Sequence, residues 1–288
     1  MKRIYLDHNA TTPPHPAVIE AVCACLEDGW GNPSSLHAFG QEARRRLDRS
    51  RSQVATLIGA APEEIVFTSG GTESDNHALR LGARLNGGNR ILTSAIEHSA
   101  VLDTCRALEA QGFKFQTLPV DSDGLLEPSR AEATLTRDTA LVSVMLANHE
   151  LGTIQPVGEI AALASAMGIP VHTDAVQAVG RIPVNVRALG VDLLSISAHK
   201  LHGPKGVGAL FVRRGFALPP LLTGGPQEQR LRAGTENLPG IVGFGVACEL
   251  TGRLLAEREN IVRRLRDHLE RGILEGIPGT RLNGHPEK

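Results

Sequence analysis

The feature that most constrains this chain is alternation: short β-rich apolar runs are separated by stretches whose apolar residues recur every three or four positions. Helical spacing predicts a helix over residues 17–29, where Val18, Val22 and Leu26 fall four apart. A second is expected over 39–58, where Ala43, Leu47, Val54 and Ile58 fall at helical offsets. Strands are expected at 64–68, 90–94, 114–119, 139–146, 170–173, 192–197 and 208–212, with helices at 72–85, 99–111 and near 157–167 among them. From about Leu238 a long helical pattern runs to about Leu274, with Pro239 in its first turn, where a missing N–H costs nothing. Strands alternating with helices imply crossover connections. The expected fold class is therefore α/β, with a mainly parallel sheet covered on both faces.

Composition narrows the class further. Of 288 residues, 41% are hydrophobic and 21% charged, enough apolar material for a sizeable core and too much for wholesale disorder. Thirty basic against 31 acidic side chains leave a net charge of −1, with no global bias toward nucleic acid or an anionic membrane. No apolar run approaches the ~18 residues of a membrane span. Met1-Lys2-Arg3-Ile4 runs straight into polar Asp7-His8-Asn9, without the apolar stretch of a signal peptide. Cys23, Cys25, Cys105 and Cys248 show neither C-x-x-C nor framework spacing and sit in helical patterns, so they are expected to be buried structural thiols, not metal ligands. These features point to the cytoplasm.

In open α/β sheets, ligands bind beyond the carboxyl ends of the strands, and the chemistry-bearing residues cluster there. The 64–68 strand passes through Thr68-Ser-Gly-Gly-Thr-Glu-Ser-Asp75 into a helix. Its glycines admit close backbone approach, and the first helical amides with the Thr72 hydroxyl suit an anion; a capped turn is the plain alternative. The 90–94 strand ends near Glu97-His98, where a single histidine is as readily structural. The 170–173 strand ends in His172-Thr-Asp174-Ala-Val-Gln177, and Asp174 either caps a following helix or faces a ligand. The 192–197 strand ends in Ser197-Ala-His199-Lys200 before a glycine-rich turn. A lysine there, in a weakly charged neighbourhood, loses its proton more easily and becomes a nucleophile. As a set, these groups meet the needs of pyridoxal phosphate. Its phosphate wants amide and hydroxyl donors, its pyridine nitrogen a carboxylate, its aldehyde a lysine and its ring a flat partner. Ser197 and His199 add phosphate donors, and Gln177 a donor to the phenolic oxygen.

Seven motifs in order carry a resemblance over nearly the whole chain: Tyr5-Leu-Asp-His-Asn-Ala-Thr-Thr-Pro13, Asn32-Pro-Ser-Ser-Leu-His37, Phe67-Thr-Ser-Gly-Gly-Thr-Glu-Ser74, Glu97-His98, His172-Thr-Asp174-Ala-Val-Gln177, Ser197-Ala-His199-Lys200 and Arg232-Ala-Gly-Thr-Glu-Asn237. The chain resembles the NifS/IscS-like cysteine desulfurases, including the selenocysteine lyases, within the fold-type I pyridoxal phosphate enzymes. The resemblance implies a fold-type I large domain plus the start of a small C-terminal domain. The divisions it suggests are an N-terminal segment near the active site over 1–15, a cofactor-binding large domain over 16–255 and an incomplete small domain over 256–288. It implies that Lys200 is the Schiff-base lysine, Asp174 the partner of the pyridinium nitrogen and His98 the ring-stacking, proton-transferring residue. Gly71, Thr72, Ser197 and His199 would hold the phosphate, Gln177 the phenolic oxygen. Thr235 would reach the phosphate of a neighbouring subunit in a homodimer.

The implied reaction releases sulfur or selenium from L-cysteine or selenocysteine, leaving alanine, and passes the sulfur to an acceptor protein, as in iron–sulfur cluster assembly. Two departures stand out. Asn148-His149-Glu150 stands where the family has Asn-Asn-Glu, so a contact to cofactor and substrate falls on His149, whose shape and charge differ. The run ending Leu282-Asn-Gly-His-Pro-Glu-Lys288 precedes the family's sulfur-accepting cysteine loop and its carboxylate-binding arginine. The 288 residues by themselves are therefore expected to be inactive in desulfuration. The alternatives are a selenocysteine lyase, another fold-type I reaction, or an inactive cofactor-binding remnant.

Overall fold

The computed structural model describes residues 3–288; Met1 and Lys2, the start of the expected 1–15 segment, lie outside the described residues. Helix α1 (Pro16–Asp28) opens on His15, whose Nδ1 accepts the Ala17 amide, and on a proline suited to the first turn. Helix α2 (Ala38–Ile58) opens in the same way on His37 and stops at Gly59, which takes the left-handed conformation (φ +68°) that ends many helices. There follow β1 (Ile65–Thr68), α3 (Gly71–Gly82), β2 (Arg90–Ser94), α4 (Ser99–Glu109), β3 (Lys114–Leu118), α5 (Pro128–Thr134), β4 (Thr139–Ser143), α6 (Val157–Ser165), β5 (Val171–Asp174), α7 (Val186–Leu189), β6 (Leu193–Ser197), β7 (Gly208–Val212) and α8 (Leu238–Gly276).

The seven strands form one sheet in the order β1-β7-β6-β5-β4-β2-β3. All neighbours are parallel except β7, which runs antiparallel to both β1 and β6. The reason is connection length: only residues 198–207 join β6 to β7, too few for the dozen or more that a parallel crossover requires. Alternation along β6 shows how the faces divide. Leu194 and Ile196 enter the large core beneath α1, α2, α6 and α8, whereas Leu193 packs with Val66, Ala78 and Leu210 on the α3 side. Leu79, Ile91, Val101, Cys105 and Leu141 close the remainder of that face under α3 and α4. The mainly parallel, doubly covered α/β sheet is the expected one.

Several details differ from expectation. The short α5 and α7 were not expected, because seven and four residues hold too little periodicity to see. Strand β4 ends at Ser143, although Val144 and Leu146 still donate to the His172 and Asp174 carbonyls. No helix starts at Asp174: its Oδ1 instead accepts the Val176 amide at 2.9 Å in a tight turn, which removes the helix-cap alternative. Cys23 is exposed, against the expectation of burial, while Cys25, Cys105 and Cys248 are buried. Two helical residues two apart point to nearly opposite sides, so α1 cannot bury Cys23 and Cys25 against the same neighbour.

Helix α8 changes character along its length. Its first half is buried from Leu238 to Thr251 against α1 and α2, with Phe244 edge-on to Phe67 at 6.4 Å. An 18-residue stretch of it averages a hydropathy of 1.3, apolar enough by length and composition to span a membrane, contrary to expectation. Half of that stretch is packed inside the fold, against α1 and α2. Beyond it, Val262, Leu265 and Leu269 are exposed.

Candidate active site

One cavity of about 500 Å³ opens at the carboxyl edge of the sheet. Five segments supply its walls: Gly71, Thr72 and Asp75 after β1, His98 after β2, His149 after β4, Asp174, Val176 and Gln177 from the end of β5 onward, and Ser197, His199 and Lys200 from the end of β6 onward. Every candidate site residue except Thr235 lines it. Thr235 is exposed on the loop before α8, away from the cavity wall. Asp7, Asn9 and Ala10 from the N-terminal segment close one side.

Lys200 ends a short 3-10 turn directly after β6. Its ammonium donates to the carbonyls of Asn9 and Ala10, the latter at 3.1 Å. Burial lowers its pKa from the ordinary lysine value and nearby Arg181 adds to the fall, while Asp174 and Asp7 oppose it. Arg181 itself ties down the same segment by donating to the His8 carbonyl at 3.1 Å. Neither Arg181 nor the Asn9 contact was singled out as a site residue. The opening motif around Asn9 was the available signal, whereas nothing local marks Arg181.

His98 caps α4: its Nδ1 accepts the Ala100 amide at 3.1 Å, so in the neutral ring the proton sits on Nε2. The structural and functional roles first weighed against each other for this residue are thus compatible. Burial lowers the pKa of His98; Asp174 opposes this, while His149 and Lys200 add to it. The ring of His149 stands edge-on to His98 at 5.5 Å, and its Nδ1 is buried without a partner. Just before His98, the Glu97 carboxyl accepts from Ser94 Oγ at 2.6 Å and the Met145 amide at 2.8 Å, and burial pushes it up to about 8.

On the opposite wall the first turn of α3 meets the cavity through glycine. A Cβ on Gly71 would lie 2.7 Å from Val176 Cγ2, so only glycine lets the β1–α3 turn come this close to the β5 turn. Ser197 and His199 stand beside it. His199 Nδ1 lies 3.1 Å from the Thr11 hydroxyl, and burial with the charge of Lys200 lowers its pKa. The Gln177 amide donates to the Asn9 carbonyl at 3.0 Å.

This donor set fits pyridoxal phosphate. The α3 amides, Thr72, Ser197 and His199 form an anion cradle that a side chain at residue 71 would crowd. A buried carboxyl, a lysine of lowered pKa and an imidazole share one open cleft of a size ordinary for small-ligand sites. No group of three or more His, Cys, Asp or Glu among the described residues could hold a metal ion.

A doubly covered α/β sheet with lysine, aspartate and histidine converging beyond its strand ends defines an enzyme of the aminotransferase class-V type, and the model of that family matches residues 4–288. Cysteine desulfurase IscS of Methanosarcina thermophila is 48% identical over 287 residues, 99% of this chain and 71% of that protein. The cysteine desulfurase of Cereibacter sphaeroides is 50% identical over 289 residues, 99% of this chain and 74% of its relative. A solved NifS-like protein superposes with a TM-score of 0.92 at 42% identity, covering 95% of this chain and 76% of that one. SspA, solved in complex with cysteine, follows at 0.83 and 40%, covering 86% and 72%. The chain belongs to the cysteine desulfurases within the aminotransferase class-V family, whose cofactor is pyridoxal phosphate.

Proposed function

We propose that this chain binds pyridoxal phosphate through Lys200 and acts on the sulfur-bearing carbon skeleton of L-cysteine. The observation that carries this reading is the meeting of Lys200, Asp174 and His98 around one cavity. The cysteine bound in SspA supports the substrate. Bound there, the cofactor supplies an electron sink for the charge left when the substrate's Cα proton is removed.

The chain's own residues do the rest. Thr72, Ser197, His199 and the α3 amides hold the phosphate, and Gln177 donates to the phenolic oxygen. Burial raises the Asp174 pKa while His98, His149 and Lys200 draw it back toward the anion, and as the anion it would keep the pyridine nitrogen protonated. The Lys200 amine, its pKa lowered by burial, would bond the cofactor's aldehyde and, once displaced from it by the substrate's amine, would be free to move the Cα proton. His98 covers one face of the ring, its Nε2 proton directed by the cap at Nδ1.

In this reading the 288-residue chain does not itself complete desulfuration. None of the four cysteines lines the cavity. Burial pushes Cys105 up to about 12 and raises Cys25 and Cys248, while exposed Cys23 lies on α1. A protonated, buried thiol is a poor nucleophile. The exposed stack of Trp30 on Phe39 at 4.9 Å supports a homodimer, and four free thiols support the cytoplasm. A sulfur-acceptor protein and selenocysteine as a second substrate complete the proposal.

Borohydride reduction after loading with pyridoxal phosphate tests it: peptide mapping should place the reduced adduct on Lys200. An adduct on Lys205, or none, would sink the assignment. Turnover of cysteine to alanine and sulfide by the purified chain, abolished by mutating one of its four cysteines, would overturn the claim of inactivity.

A further inference from the structure

Beneath the cavity, a row of polar side chains crosses the α3 face of the sheet. Thr93 of β2 pairs with Ser143 of β4, and Ser143 with His172 of β5. All three are fully buried, as are Ser195 of β6 and, nearly so, Asp75 of α3. One step earlier along the strands the sites are apolar, as Ile91, Leu141 and Leu193 show. A polar stripe in such a core is costly unless its members satisfy one another.

Thr93 Oγ1 has no partner, whereas Ser143, His172 and Ser195 satisfy one another. Ser143 Oγ lies 2.8 Å from His172 Nδ1, and His172 Nε2 lies 3.0 Å from Ser195 Oγ. Burial pushes the His172 ring down to about 3, so it is neutral and donates from one nitrogen only. Ser143 and Ser195 therefore take opposite roles toward the ring, one donating and the other accepting, and the Ser195 hydroxyl also neighbours the Asp75 carboxyl. The row thus reaches Asp75. Its Oδ1, 3.5 Å from His172 Nε2, makes no hydrogen bond at all.

Asp75 lines the cavity beside Asp174, and the two carboxyls feel each other's charge. Their surroundings differ. Burial raises the Asp174 carboxyl above the ordinary aspartate value, but it accepts the Val176 amide and faces His98, His149 and Lys200, all of which draw it back toward the anion. Asp75 faces Asp174 and Glu97, both acids, one hydroxyl and a neutral imidazole, and no cation. Two buried carboxyls in such proximity do not both ionise.

We propose that Asp75 is a positioning residue that keeps its proton at working pH, so that the one negative charge beneath the cavity belongs to Asp174. Through its partners it also fixes the α3 turn that carries Gly71 and Thr72 over the sheet. The part of this that concerns the cofactor's ring nitrogen rests on the function proposed above; the protonation of Asp75 does not.

Two measurements keep those parts separate. In the cofactor-free protein, infrared spectra near pH 7 should show a carboxylic-acid carbonyl band that shifts when aspartate is isotopically labelled and is lost in Asp75→Asn. Labelling the unmutated protein separates this band from any contribution of Glu97 and needs no variant to fold. Absence of an aspartic-acid band would overturn the proposal, whatever the cofactor does. In the loaded protein, the pH midpoint of the cofactor's absorption change should move by less than about 0.3 in Asp75→Asn and by more than about 1 in Asp174→Asn. A fall of similar size in both variants would mean that Asp75 is ionised and would also overturn it. If Lys200 takes up no cofactor, the proposed function fails while the infrared result still stands.

Discussion

The molecule has two large concavities, and the larger is the less reactive. A groove of about 1190 Å³ runs between α2, α8 and the 179–189 segment, lined by Leu57, Val157, Val179, Ile182 and Val184 among others. Its charged side chains, Arg49, Glu159, Glu249 and Arg253, are all at least partly open to water. The cavity at the strand ends has less than half that volume, yet it holds Asp174 almost entirely buried and Lys200 and His98 half-buried. Volume measures shape. Reactivity comes from burying unlike ionisable groups together, where each one's protonation depends on the others.

The sharpest test of that contrast removes the nucleophile. Lys200→Ala should abolish the borohydride-stable adduct altogether while leaving weakened reversible binding of the cofactor, because Thr72, Ser197 and His199 are intact. An adduct that survives would show that the two concavities do not differ in the way described.

Next in size is the charge. With pyridoxal phosphate bound, exchange of the Cα proton of L-alanine into deuterium oxide should fall at least about a hundredfold in Asp174→Ala, since charge stabilisation of this kind is worth several kcal/mol. A loss under about tenfold, ~1.4 kcal/mol of barrier, would reduce Asp174 to a turn residue.

Burying acids also costs stability, and the cost has a definite sign. Glu97 titrates at about 8 in the folded chain against an ordinary 4.5, so from about pH 4.5 upward the unfolded chain has released a proton that the native chain retains. Its contribution to stability is therefore most favourable below that range and is lost as pH rises toward about 8, amounting to several kcal/mol. Thermal unfolding of the cofactor-free protein should show this decline, and Glu97→Gln should flatten it. A parent protein equally stable at both ends of the window would contradict the burial argument.

The groove should give the smallest response. Leu57→Ala, on the groove wall, should cost about 1 kcal/mol of stability through lost packing and leave cofactor affinity within about twofold. A large loss of cofactor binding would show that the two concavities communicate.

Much of the site was legible in the sequence because strand ends in an α/β sheet mark the ligand edge, and Thr72, His98, Asp174 and Lys200 each follow a recognisable strand. Thr235 follows no strand and does not reach the cavity of its own chain. Asp75 and His172 lay within quoted motifs yet went unassigned. Their significance depends on α3 lying across β5 and β6, which no local pattern encodes. Cys23 illustrates the same limit: its helix was legible, but which side of that helix would be covered was not.

From the sequence alone came the order of the strands and longer helices, the α/β class and the residues able to do chemistry, because periodicity and turn chemistry act over a few neighbouring positions. Only the tertiary structure decided the reversed direction of β7, the burial of half of α8, the Asn9 clamp on Lys200 and the pairing of Asp75 with Asp174. Each of these joins residues far apart in the chain, and protonation in particular follows from who is buried beside whom.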